Sequence, residues 1–210
     1  MKRVFSFAGA LALGFALCTF SFAEIVDNSG AGFDIPDNDP AGASSTITIG
    51  QSGSITDVDV TLFDTNHTWI GDLVVTITSP SGTTVDLFNR VGDTTGGAGD
   101  SSDLGGEYTF SDGGDDLWAV ADDAGGGDII GAGTYAATGV GSPDPLSLAA
   151  LFAGEDTAGD WVLFASDNAG GDLGNIGGWG LSITVSAVPE PGSLVLLGAM
   201  GVACVVRRRR

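Results

Sequence analysis

One histidine, His67, and a crowd of carboxylates are what this sequence offers for chemistry. Two acidic clusters stand out: Asp167, Asn168, Asp172 and Asn175 in one, and Asp93, Asp100, Asp103, Asp112, Asp115 and Asp116 in the other. Calcium is a hard cation that takes about 6–8 oxygens from carboxylates, amides and backbone carbonyls on flexible loops. At up to about 3.5 Å per residue, either stretch could curl its oxygens around one ion. Calcium is therefore the expected cofactor, with Asp167, Asp172 and Asn175, and Asp93, Asp100 and Asp103, as candidate ligands. The opposing reading is that these residues cap turns and solvate the surface, since Asp bonds readily to nearby backbone. Two partial motifs add little. Asp37-Asn38-Asp39-Pro40-Ala41-Gly42 begins like an EF-hand loop without its closing Glu, and Gly96-Gly97-Ala98-Gly99-Asp100 resembles one turn of a calcium β-roll that would need tandem copies.

Other chemistries are excluded by what is missing. Of 27 acidic residues, 26 lie between Glu24 and Ala187, against a single cation, Arg90, so this body carries a charge of −25. Such a surface repels phosphate backbones, so nucleic acid is not a partner. The body has no Lys for a Schiff base or a P-loop, and one His cannot build a multi-histidine zinc site. Cys18 and Cys204 both lie in apolar terminal runs, leaving the body neither a disulfide nor a thiol nucleophile. Among the tryptophans, Trp69 and Trp118 are candidates for stacking on a glycan, while Trp161 and Trp179 sit in strand-like stripes and are expected in the core.

The elements that must position these residues read as strands. Val58, Val60 and Leu62 alternate with polar neighbours, as do Leu73, Val75 and Ile77, and Trp161, Leu163 and Ala165. The cleanest stripe is Trp179, Leu181, Ile183 and Val185. Ser79-Pro80-Ser81-Gly82 is a turn signal that makes the strands on either side a hairpin. Only Leu146 to Phe152 suggests a helical turn. From Gly92 to Pro145, 15 of 54 residues are Gly and 10 are Asp, which predicts long loops joining a few short strands. With 43% hydrophobic residues, the chain can close a core. The expected fold class is all-β, a β-sandwich or jelly roll.

Both ends read as addresses. Lys2 and Arg3, an apolar run from Val4 to Phe20 and Ser21-Phe22-Ala23 have the pattern of a signal peptide over residues 1–23. At the other end stand Val188-Pro189-Glu190-Pro191-Gly192, an apolar run from Ser193 to Val206, and Arg207 to Arg210. As a helix that run covers about 21 Å, short of the roughly 30 Å hydrocarbon core, and the arginines would stay cytoplasmic. Residues 187–210 resemble the PEP-CTERM sorting signal of Gram-negative-type bacteria, with Pro189, Glu190 and Pro191 as its motif. The resemblance implies an exosortase as partner, transient membrane contact through the tail, and delivery to the cell surface or extracellular matrix.

The body carries a second resemblance. His67-Thr68-Trp69-Ile70-Gly71-Asp72-Leu73 through Ser79-Pro80-Ser81-Gly82-Thr83, then Phe152-Ala153-Gly154-Glu155, Gly159-Asp160-Trp161-Val162-Leu163, Asp167, Asp172, Gly174 and Trp179-Gly180-Leu181 resemble the P domain (P/Homo B) of proprotein convertases. It covers about Asp34 to Val185, leaving residues 24–33 as a lead-in. It implies an eight-stranded jelly-roll barrel, which in that family usually follows a subtilisin-like catalytic domain. No such domain is expected here: a Ser-His-Asp triad needs a free base, and His67 matches a structural position. The expected function is an exported, non-catalytic interaction, adhesion or matrix module, supported by calcium. The alternatives are an accessory domain serving a subtilisin-like protease in trans, and a carbohydrate-binding module for extracellular polysaccharide.

Overall fold

The computed structural model describes residues 23–186. The sorting tail with Pro189, Glu190 and Pro191, its apolar run, and all of the signal-peptide segment but Ala23 lie outside the described residues. Among the described residues the strands are β1 (Ala23–Ile35), β2 (Asp39–Ile49), β3 (Ser54–His67), β4 (Leu73–Thr78), β5 (Thr84–Asn89), β6 (Asp103–Asp115), β7 (Ile129–Ile130), β8 (Gly133–Tyr135), β9 (Ala137–Thr138), β10 (Pro145–Leu146), β11 (Gly159–Asp167) and β12 (Gly174–Ser186). Two helices, α1 (Leu117–Ala124) and α2 (Leu148–Phe152), and a 3-10 turn at Ile70–Asp72 complete them.

Eight of these strands form an antiparallel sandwich, four to a sheet. One sheet runs β1-β12-β3-β6, with the short β7 and β8 added in parallel to β6; the other runs β2-β11-β4-β5. Period-two alternation is the cause. Val58, Val60 and Leu62 of β3 are fully buried, as are Trp161, Leu163 and Ala165 of β11 and the Trp179 stripe of β12. Each large apolar side chain so buried stabilises the fold by about 1.5–3 kcal/mol. The sheets meet face to face: Phe88 of β5 stacks on Phe110 of β6 at 5.6 Å, and the Trp179 indole of β12 donates to Ser45 Oγ of β2 at 3.0 Å. The fold is an all-β sandwich, as the alternation predicts, and β4 and β5 pair as the expected hairpin.

Two stretches differ from the sequence reading. Residues 24–33, expected as a lead-in, belong to β1, which pairs with β12 from Ala23↔Ser186 to Ile35↔Gly174 and buries Val26 opposite Ile183. Gly30 obscures its alternation, and Gly30 is required because any Cβ there would collide with the Trp179 indole. The Gly/Asp-rich segment, expected as long loops joining a few short strands, holds the 13-residue strand β6 and helix α1 besides its short strands. The Asp116 carboxylate caps α1 by accepting from Trp118 N at 2.9 Å and Ala119 N at 3.2 Å. The short α2 lies within the predicted helical turn, capped by Ser147. Among the described residues, no helix is long and apolar enough to cross a membrane.

Candidate functional site

His67, Asp167, Asn168 and Asp172 converge at one end of the sandwich, where β3 turns into β4 and β11 turns into β12. His67, the last residue of β3, is 1% exposed. Its Nδ1 accepts from Trp69 N–H at 3.1 Å and lies 3.0 Å from Trp69 O, while Nε2 lies 3.3 Å from the fully buried Asp167 Oδ2. Both ring nitrogens are engaged within the fold, and among the described residues the ring hydrogen-bonds to no hydroxyl. His67 therefore lacks the free base nitrogen and adjacent nucleophile that acyl transfer needs. Its task is to tie the end of β3 to the end of β11.

The neighbouring residues fasten the same corner. Thr68 Oγ1 donates to Asp172 Oδ1 at 2.8 Å, and Asn168 donates to Asp72 O from both its backbone N (2.9 Å) and its side-chain Nδ2 (3.1 Å). Trp69 Nε1 donates to Ala98 O at 2.8 Å, drawing in the glycine-rich loop. Arg90 donates from Nε to Gly71 O at 3.1 Å and from a terminal nitrogen to Gly97 O at 2.7 Å, and pairs with Asp93 at 3.5 Å. Gly71 lies so close to that loop that a Cβ would come within 2.5 Å of Ala98 O. The one cation of the body thus serves as a loop clamp.

The six candidate calcium ligands separate into different environments. Asp167 and Asp172 meet at the His67 corner. Asn175 instead accepts from Asn66 Nδ2 across the β3–β12 pair at 2.5 Å. Asp93 Oδ1 accepts from the backbone N–H groups of Thr95, Gly96 and Gly97, and these bonds hold its carboxyl below the ordinary range. Asp100 Oδ1 accepts from Ser102 N at 2.8 Å, and Asp103 opens β6 opposite Ile129. Among the described residues, no three Asp, Glu, His or Cys side chains already converge as a metal cage.

Sequence reasoning passed over Asp72. It is 3% exposed, and burial, followed by the charges of Asp167 and Asp172, raises its pKa above the ordinary Asp value; Arg90 and His67 only partly oppose this. The available signal was a carboxylate placed directly before a strand whose first residue, Leu73, is wholly buried. Glu155 was also undervalued. It takes the Ser79 hydroxyl on Oε2 and the Thr83 hydroxyl on Oε1, both at 2.5 Å, and so clasps the β4–β5 turn at the opposite end of the sandwich. Trp118 is half-buried against the core, with Nε1 3.3 Å from Thr138 Oγ1. Trp161 and Trp179 are core residues, as expected.

With this geometry in view, residues 55–110 match the proprotein convertase P-domain, and residues 187–210 match the PEP-CTERM protein-sorting motif. The chain thus carries a P-domain match in its body and a PEP-CTERM match at its C-terminal end. The tail marks it for export, recognition by an exosortase, and sorting to the cell envelope, while the P-domain is an accessory, non-catalytic unit associated with proteases. The P-domain match contains the whole β3–β4 corner and the β4–β5 turn. No curated protein matches the chain. Two solved structures are similar to it, both at 17% identity: the serine protease of Aeromonas sobria in complex with a chaperone (TM-score 0.45) and the same organism's serine protease (TM-score 0.44). They cover 79% and 77% of this chain but only 28% and 27% of theirs, so the chain spans little more than a quarter of the proteins it resembles.

Proposed function

We propose that this chain is an exported, non-catalytic interaction domain, carried to the cell surface or extracellular matrix by its PEP-CTERM tail and docking there to an extracellular partner. The observation that carries the reading is the state of His67: the only imidazole of the chain is buried, and both its nitrogens are used to join two strands. The motif residues shared with the P-domain do structural work at the two ends of the sandwich, leaving the strand faces and acidic loops to meet a partner. A serine-directed fluorophosphonate probe tests the non-catalytic part on the purified full chain. No labelling is expected, and labelling at a Ser that denaturation abolishes would overturn it.

A protease is the partner class best supported, because P-domains are protease-associated units. In that case the chain acts in trans on a subtilisin-like enzyme. Adding the full chain to such an enzyme from the same cells should raise the yield of active protease on refolding, and an unchanged yield would count against this partner. Glycan stacking has weaker support, since Trp69 and Trp118 both donate their indole N–H groups inside the fold.

A further inference from the structure

We propose that Asn66 is an acceptor for N-linked glycosylation, taking an oligosaccharide from a polyprenyl-diphosphate donor through a transferase of the envelope. The proposal rests on export of the chain and is independent of what the domain docks to. Of the six asparagines in the sequence, only Asn66 is followed two places later by Ser or Thr, in Asn66-His67-Thr68, with no proline between. This is the Asn-x-Thr acceptor pattern, which marks surface positions of exported chains. Asp64 stands two places before the asparagine, so the pattern reads acid-x-Asn-x-Thr and adds a charge that a basic recognition pocket can hold.

The end of β3 presents this pattern to solvent. Strand alternation turns Thr65 and His67 inward, 2% and 1% exposed, and leaves Asp64, Asn66 and Thr68 exposed on the outer side. The three residues that a transferase reads thus share one side of the strand, and the two it does not read are buried.

The finished fold also has room for the product. Asn66 pairs with Gly105 of β6 on one side and Asn175 of β12 on the other. Gly105 has no side chain to crowd the carboxamide. Ile129, 61% exposed, lies over that glycine, where an added Cβ would come within 3.1 Å of it, and gives the first sugar an apolar side to rest against. Asn66 Nδ2 donates to Asn175 Oδ1. A primary carboxamide carries two N–H hydrogens, so transfer consumes one and leaves the other to keep this bond.

Transfer comes before folding. The Thr68 hydroxyl donates to Asp172, and Asn66 is paired on both sides once the sheet has formed. The transferase therefore meets the acceptor as the chain emerges, before β3 is enclosed between β6 and β12. Nδ2 attacks C1 of the first sugar. The Nδ2–C1 bond forms as the C1–O bond to the diphosphate breaks, the electron pair leaves on the lipid diphosphate, and the amide proton passes to a base of the transferase. No oxidant or reductant is required.

The test recovers the full chain from denatured whole envelopes of its own cells, so variants that fold poorly are scored as well. Cleavage before Asp64 and Asp72 by an Asp-specific protease releases Asp64–Gly71, which is weighed and fragmented by mass spectrometry. The expected result is a glycan mass on this peptide, localised to Asn66. Asn66→Gln and Thr68→Ala should lose it, Thr68→Ser should retain it, and Asp64→Ala should lower the occupied fraction. Bare Asn66 in all parent chain recovered, or Thr68→Ala glycosylated at Asn66 as fully as the parent, would overturn the proposal.

Discussion

The His67–Asp167 pair shows how motif residues can be mistaken for a reaction centre. A buried, hydrogen-bonded pair loses far more when one partner is removed than the pair contributes net, because the survivor stays buried alone. Asp167→Asn or His67→Ala should therefore cost about 3–5 kcal/mol in a urea titration. A loss under 1 kcal/mol would mean the corner is not held this way. Glu155 is the same argument in milder form: its two hydroxyl partners lie at the surface-facing turn, so Glu155→Ala should cost about 1–3 kcal/mol. At this scale the sequence was informative about which residues mattered and less so about why. His67, Asp167 and Asp172 were visible as types and spacings. That Asn175 turns to Asn66, and that Asp72 closes the corner, depends on strand register, which a string of residues does not carry.

At the scale of elements, alternation disclosed β3, β4, β5, β11 and β12, because each buries one full face against the opposite sheet. Where that face is interrupted, the signal fails. In β1 Gly30, which lets the Trp179 ring approach, breaks the period, whereas in β6 the alternation of Tyr108 and Phe110 about Thr109 marks a strand whose full length the flanking glycine pairs conceal. Helix α1 spans only eight residues and buries only Leu117 and Ala121, so it has no amphipathic stripe to read; its legible mark was the capping Asp116. Asp116→Ala should remove that cap at a cost of about 1 kcal/mol, with a loss of helical signal confined to this segment by hydrogen exchange. Unchanged protection there would refute the cap's role.

Over the whole molecule, the body charge of −25 acts on stability through self-repulsion. Raising ionic strength from about 0.01 to 1 M shortens the screening length from about 30 to 3 Å, so Tm should rise with sodium chloride even without divalent ions. A flat or falling Tm would show that repulsion is not a governing term. Acidity has two opposed effects. Asp72 and Asp86 have raised pKa values, chiefly through burial, so the native state binds protons more readily than the unfolded one. Stability in EDTA should then increase as pH falls from neutral through their native pKa values. Asp93 and Asp156 are lowered, chiefly by backbone hydrogen bonds, and their contribution is lost as pH falls below the ordinary Asp value of about 3.9. The stability maximum should therefore lie in mildly acid solution, above about pH 4. A maximum at neutral pH or above would contradict that balance.

The central claim is that a folded, non-catalytic sandwich is displayed outside the cell by its tail. Surface labelling of intact cells with a membrane-impermeant biotin reagent, directed at an exposed cysteine introduced at Val140, tests it most directly. The account predicts labelling of the Val140→Cys chain on intact cells, and loss of that labelling when Pro189, Glu190 and Pro191 of the same chain are replaced by alanine. Labelling only after lysis, or equal labelling with and without the motif, would contradict it.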